Sequence, residues 1–409
     1  MTCRGGRFRT VLTVLAAWSV LTGAALVGAA PATGAPRPAD LAPGVAYTEF
    51  DVTGAQGVAH AHVLSVDLRD RRVGVGLLYP GAVAARQTVS RMATAAGAVA
   101  GVNGDFFNIT EVQHPGVTAT GASVGPAIAR GHALKAAVPD GQRFGPALPP
   151  GTSTKDVLGV TADGVARLDS IALDGSVTTA GGVLPLGGLN QYALPVGSVG
   201  AFTSGWGTVS RMRAVCGTDT DRAAPCSTDV HEVLVAGGRV VSVTPAPGSG
   251  AVAPGATVLV GREEGAQWLR KLSPGDPVRV RHHLVAARAR TAYAFALGGY
   301  PVLRSGRPLP GLDDTVSAVR TAAGVAEGGH RLLLLALDGA PAHRSGLTVA
   351  EVAEVMRGLG SDDAFSLDGG GSSTLVARAA GESAVTVRNH PSAGEERPVP
   401  NGIGVFTKR

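Results

Sequence analysis

Two apolar runs that each end in Asp-Gly constrain this chain more than any other feature. Leu332-Leu-Leu-Leu-Ala-Leu337 leads into Asp338-Gly339, and Ala364-Phe-Ser-Leu367 leads into Asp368-Gly369-Gly370-Gly371-Ser372-Ser373-Thr374. About thirty residues separate them, the size of a strand–helix–strand unit. The segment between reads as a helix: Thr348 and Glu351 have capping-box spacing, Leu347 and Val352 can form a staple, and Val349, Val352, Ala353, Met356 and Leu359 share one face before Gly358 and Gly360 end it. A right-handed crossover makes the two strands parallel and brings Asp338 and Asp368 to one carboxyl edge, where open α/β sheets bind ligands. The expected fold class is α/β or α+β, a mixed sheet with covering helices and a site at strand carboxyl ends.

The second run also specifies chemistry. Three glycines after Asp368 remove Cβ atoms, so backbone N–H groups can approach an anion closely, and Ser372, Ser373 and Thr374 add hydroxyl donors to the same small volume. An Asp-Gly pair alone would mark a hairpin turn. The additional glycines and the matching upstream run favour a site.

A chain of 409 residues with 44% hydrophobic and 16% charged residues is an ordinary globular sequence with room for more than one domain. Aromatic residues make up only 4%, which argues against a base-stacking nucleic-acid surface. Arg4, Arg7 and Arg9 precede an uncharged run, Val11 to Ala30, followed by small residues and Pro31, Pro36 and Pro38. This reads as a secretory signal over residues 1–30, with an uncleaved membrane anchor as the alternative reading of the same run. Without those three arginines the formal charge falls from +5 to +2, too little to call for nucleic acid or a membrane surface as partner. Export agrees with the cysteines: Cys3 lies in the signal, leaving Cys216 and Cys226 as an even pair around a polar loop that a disulfide can close.

Residues 31–44, rich in Pro and Ala, read as a linker. Val58–Leu68 and Val73–Leu78 read as strands and Gln87–Ala96 as a helix leading to Val99-Ala-Gly-Val-Asn103-Gly104-Asp105-Phe106-Phe107. His60 and His62 alternate and so share a face, read as a solvated strand face rather than a metal site. Residues 150–290 are Gly-, Pro-, Val- and Thr-rich with helical periodicity only at Gly265–Leu272, the texture of a β-rich insert between residues 45–149 and 291–409.

The ordered set Asn103-Gly-Asp-Phe-Phe107, Gly298-Gly299, Arg320-Thr321, Asp338-Gly339, Ser345-Gly-Leu-Thr348, Leu367-Asp-Gly-Gly-Gly-Ser-Ser373, Asn389 and Arg397-Pro-Val-Pro-Asn401 resembles the phosphodiester glycosidase family. The resemblance runs over residues 50–135 and 290–407, less distinctly through the insert. It makes residues 45–149 and 291–409 two parts of one catalytic domain. It implies hydrolysis of the bond between a sugar anomeric carbon and phosphate, releasing free sugar and a phosphomonoester. Such a reaction needs cations and amides to hold the phosphate and carboxylates to manage the sugar cation and the water. The resemblance assigns Asp368 and Asp338 as the carboxylates, with Arg320 and Arg397 on the phosphate. Asn103, Gly299 and the loop Gly369, Gly370, Gly371, Ser372 and Ser373 are the other substrate contacts. Asp105 stands where the family often has glycine and is not expected to be the essential carboxylate; Phe106 and Phe107 are read as buried packing. Asp338 and Asp368 on adjacent strands would favour a covalent intermediate, and one strand further apart would favour inversion.

No motif requires a cofactor, and a bound divalent cation has no supporting pattern. The expected partner is a small-molecule, cell-wall or exopolysaccharide sugar phosphodiester; oligomeric state is not legible. A non-catalytic extracellular carbohydrate- or phosphate-binding protein on the same scaffold is the alternative reading. A metal-dependent phosphodiesterase is disfavoured, because no His/Asp cluster shows metal-pair spacing.

Overall fold

The structure, a computed structural model, describes residues 38–290 and 292–408. The expected leader and the first half of the expected linker lie outside the described residues. The class is α+β and mostly sheet, with 41% strand and 10% helix.

The central sheet has eight strands in the order Ala39–Ala42, Val45–Gly54, Gly57–Asp67, Arg331–Leu337, Thr321–Ala326, Asp363–Leu367, Tyr300–Arg304 and Arg307–Pro308. Every neighbouring pair in it is antiparallel. Of the two spacings the sequence left open for the Asp-Gly strands, the structure has the wider one. The two Asp-Gly strands do point the same way, but Thr321–Ala326 runs between them, with Thr321 opposite both Ala336 and Leu367.

The reason lies in what covers the sheet. Leu332, Leu334, Ala336, Phe365 and Leu367 pack with Ala100, Val102, Leu375, Ile403 and Val405 of a second, five-stranded sheet. Leu333, Leu335 and Leu337 on the opposite face meet Val349, Val352, Ala353 and Met356 of the helix Val349–Gly358. A strand buried on both faces is continuously apolar whether helices or another sheet covers it, so the Leu332–Leu337 run does not reveal strand direction.

The helix between the runs forms as read: Thr348 caps it and exchanges hydrogen bonds with Glu351, and Gly360 follows it at φ +90°. The other two α-helices among the described residues are Val89–Ala96 and Glu264–Leu269. The third sheet has eleven strands, and among the described residues its one parallel pair is Gly182–Leu189 with Val199–Phe202. It carries the β-rich stretch but also Ala127–Ala129, His132–Lys135 and Tyr293–Gly298, so it runs across the texture changes at 150 and 290. Ala39–Ala42, within the segment read as linker, is the edge strand of the central sheet. Cys216 and Cys226 form a disulfide. No described helix is long and apolar enough to cross a membrane.

Candidate functional site

Asp368 leaves the central sheet one residue after Leu367, and its amide donates to the carbonyl of Gly104 at 2.9 Å, which joins the central sheet to the end of the strand Ala100–Asn103. The joint depends on Asn103. Its Nδ2 donates to the Asp368 carbonyl at 2.6 Å, while its Oδ1 accepts from Thr321 Oγ1 at 2.8 Å and from the Thr374 amide at 3.0 Å. Asn103 is fully buried, and its amide holds the loop.

The glycine loop turns through a 3-10 segment, Gly370–Ser372. A Cβ at Gly369 would stand 2.6 Å from the Val319 carbonyl, and one at Gly371 would stand 2.3 Å from Nη2 of Arg397, so the glycines let a strand end and a guanidinium lie directly on the loop. Most of the loop amides are used internally: Gly370 donates to Val319, Ser372 to Gly369 and Ser373 to Gly370. The expected nest of free amides is therefore largely closed, and side chains carry the polar chemistry. Arg397 donates to Ser372 Oγ at 3.3 Å, and Ser372 is hydrogen-bonded to Asp368. Arg397 is positioned by the helix Val89–Ala96, whose Ser90 amide donates to Glu396 at 3.0 Å, and by the bridge between Gln87 and Val399.

Asp368 is partly exposed, yet burial dominates its titration. Burial pushes its carboxyl up to about 6, and the neighbouring Asp105 charge adds to this, while Ser372, Arg397 and the Gly369 amide act in the other direction. Asp105 is itself buried and raised to about 6, again mainly by burial, with Lys135, the Gly125 amide and Arg143 opposing. Its Oδ2 accepts from Gly125 at 2.7 Å, while Oδ1 has no hydrogen-bond partner. Lys135 is buried beside it, donating to the carbonyls of Val124, Gly125 and Ala136, and desolvation lowers its ammonium to about 7.

Arg143 completes this group. Its guanidinium lies 4.5 Å from the Phe106 ring centroid and 5.1 Å from that of Tyr300, is 8% exposed, leaves Nη2 without a partner, and senses the charges of both Asp105 and Asp368. Phe106 is buried, as the packing reading expects, and serves as a shelf for Arg143 rather than for a sugar.

Asp338, two strands from Asp368, is held differently. Its Oδ2 lies 2.8 Å from Nδ1 of the exposed His390 and 3.5 Å from Nε2 of the buried His62, and its Oδ1 accepts from the Ala340 amide. Burial pulls its titration upward, but the His390 hydrogen bond, the Ala340 amide, the His390 charge and His62 outweigh it and leave the carboxyl below its ordinary value. The adjoining Asn389 ties the two carboxylate loops together, donating to the carbonyls of Leu337 and Ser373.

Arg320 occupies the register position between the two aspartates, its carbonyl accepting from the Leu337 amide. Its buried side chain donates to the carbonyls of Leu347 and Val316. Gly299 serves packing, since a Cβ there would meet Phe365 and the Ser366 carbonyl at 2.5 Å. Its neighbour Gly298 belongs to the site, because a Cβ there would meet Asp105 Oδ2 at 2.5 Å.

The structure thus groups Asp368, Ser372 and Arg397 as expected, sets Asp338 with His62 and His390, and adds Asp105, Lys135 and Arg143. Sequence offered one signal for the additions, a carboxylate in the Asn103–Phe107 motif. Nothing local marks Lys135 or Arg143, which arrive from elsewhere in the fold.

The phosphodiester glycosidase family profile matches residues 230–406, so the resemblance holds over the stretch that contains Asp338, Asp368 and Arg397; Asn103, Asp105 and Arg143 precede it. No curated protein matches. A hypothetical protein from Synechocystis shares the fold at a TM-score of 0.69 and 17% identity, over 92% of this chain and 64% of that one, so this chain spans less than two thirds of its length. A Burkholderia pseudomallei protein described as exported aligns at a TM-score of 0.64 and 24% identity, over 87% of this chain and 75% of that one. The catalytic domain of zebrafish N-acetylglucosamine-1-phosphodiester alpha-N-acetylglucosaminidase aligns over 92% of this chain and 88% of that one at 15% identity, with a TM-score of only 0.43. At these identities the two higher-scoring structures speak to fold alone.

Proposed function

We propose that this chain, which carries the phosphodiester glycosidase pattern over residues 230–406, is an extracellular hydrolase of sugar-1-phosphodiesters. It cuts the bond between the anomeric carbon and the phosphate oxygen, releasing free sugar and a phosphomonoester. The observation that carries this reading is the relay from Arg397 through Ser372 to Asp368, a carboxylate raised to about 6 at the mouth of a glycine loop. A cation and a tuned carboxylate share one hydroxyl, as separation of an anionic leaving group from a sugar cation demands.

In the proposed mechanism Arg397 binds the phosphate, whose low basicity reduces the need for a general acid. Asp368 faces the anomeric centre, and Arg143, with its free Nη2, stabilises the buried carboxylates and supplies positive charge behind them. Asp338, kept ionised by His390 and His62, is the carboxylate that activates water. An extracellular setting is supported by the Cys216–Cys226 disulfide.

The test is hydrolysis of UDP-N-acetylglucosamine and of a methyl diester of a sugar 1-phosphate in ¹⁸O-water, by the wild-type chain and by Asp368→Asn. Label in the sugar, lost in the variant, supports glycosidic cleavage at this loop. Label in the phosphate would overturn it in favour of P–O cleavage. Binding of the diesters by both forms with turnover by neither would make the chain a binding protein.

A further inference from the structure

The hairpin made by Val45–Gly54 and Gly57–Asp67 carries four chemically active side chains on one face. Glu49 pairs directly across from His62, and Asp51 across from His60. The two imidazoles, at i and i+2, pack edge to face with centroids 4.9 Å apart. One ligand atom each from Glu49, His60 and His62 falls within 4.8 Å of the others, with Glu49 Oε2 3.8 Å from His62 Nδ1. His114 with Cys216 and Cys226 is equally compact, but its sulfurs are consumed by the disulfide.

Each imidazole is backed by a carboxylate on its other nitrogen. Asp51 Oδ1 lies 2.6 Å from His60 Nδ1, and Asp338 Oδ2 lies 3.5 Å from His62 Nε2. That arrangement orients the imidazole and raises its basicity as a ligand, and one ligand atom each of His60, His62 and Glu49 stays close to the others, with the Tyr47 hydroxyl on His62 Nδ1 to be displaced by an ion. The hydrogen count points the same way. If a neutral His62 carries its hydrogen on Nε2, the single Tyr47 hydroxyl hydrogen must serve both His62 Nδ1 at 2.7 Å and Glu49 Oε2 at 2.8 Å. If it carries its hydrogen on Nδ1, the Nε2 lone pair faces the Asp338 carboxylate. A cation on the cluster, a proton on His62 or a metal ion in its place, relieves both arrangements.

We propose that Glu49, His60 and His62 bind a zinc-class divalent cation, with water completing the coordination. Two imidazole nitrogens and one carboxylate form a borderline donor set that suits zinc and cobalt rather than magnesium or calcium. Bound there, the ion pins the hairpin and fixes His62 against Asp338. The proposal stands whether or not the chain hydrolyses phosphodiesters.

The experiment is titration of the chelator-stripped full chain with Co²⁺, followed by visible d–d absorption, then displacement by Zn²⁺. One Co²⁺ per chain is expected, with intense tetrahedral-type bands. Binding should be lost in His60→Ala and Glu49→Gln, weakened roughly tenfold in Asp51→Asn, whose residue only orients His60, and unchanged in His132→Ala on the exposed end of a different sheet. Near-UV circular dichroism confirms that each variant is folded. Wild type binding Co²⁺ no more tightly than folded His60→Ala, or an equal loss in His132→Ala, overturns the site.

Discussion

Asp368 is a carboxylate held at a thermodynamic disadvantage. Its carboxyl is raised to about 6 in the folded chain, so between about pH 4 and 6 the folded state keeps a proton that the unfolded state has released. The group's contribution to stability therefore falls as pH rises through that window, and its full cost is present above it. Asp368→Asn removes the cost. We expect the variant to melt higher than wild type at pH 7–8, by up to about 3 kcal/mol, since the rise from 3.8 to about 6 is about two pKa units and each is worth about 1.4 kcal/mol. The gap should close near pH 4 in parallel melts, and activity should fall by roughly 10³-fold or more. Arg143 acts on the same equilibrium from the other side, because its charge favours ionised Asp105 and Asp368. Arg143→Gln should move the acid limb of kcat/KM, expected near pH 6 in the wild type, to higher pH; an unmoved limb would remove Arg143 from the site. Asp368 and its hydroxyl-rich loop were legible in sequence because carboxylate, glycines and serines are contiguous. Arg143 was not, since an isolated arginine in a polar stretch carries no signal until Phe106 and Tyr300 close around it.

Among the elements, the strand Thr321–Ala326 has the largest consequence for chemistry. It stands between the Asp338 and Asp368 strands, placing their ends two inter-strand spacings apart, roughly 10 Å. That separation favours a water between carboxylates over a covalent intermediate. We therefore expect inversion, with the first-formed sugar anomer opposite to that of the substrate when hydrolysis is followed by proton NMR; retention would assign the reacting pair to Asp368 and Asp105. The crossing of Tyr293–Gly298 over the Asp105 carboxylate is equally dependent on backbone approach. In Gly298→Ala the new Cβ would stand 2.5 Å from Asp105 Oδ2 and 2.6 Å from Gly125 Cα. A loss of about 1–3 kcal/mol in chemical denaturation is expected, together with loss of activity. Gly358→Ala, whose Cβ meets nothing within 4 Å in a helical position, should be neutral or slightly stabilising.

Across the whole molecule, the β-rich region is coupled to the site through the disulfide loop. Arg222, between the two cysteines, donates to the Arg143 carbonyl at 2.7 Å and lies 4.1 Å from the Phe144 ring centroid, and the Thr218 and Asp221 carbonyls accept from Gln142, one residue before Arg143. Replacing Cys216 and Cys226 together by Ala should cost about 2–3 kcal/mol through loss of loop closure. It should also lower kcat/KM as Arg143 loses its support; an unchanged kcat/KM in a destabilised variant would confine the loop to stability. By itself the sequence determined the features that are local: the capping box at Thr348, the apolar runs, the cysteine pair and the glycine loop after Asp368. Each is a contiguous pattern whose meaning follows from backbone periodicity or from a missing Cβ. Strand order, the antiparallel partner between the two aspartates, and the gathering of Asp105, Lys135 and Arg143 were decided only by tertiary structure. A run buried on both faces looks the same whichever layer covers it, and charges distant in sequence acquire their neighbours, and their shifted titration, only once the sheets have packed.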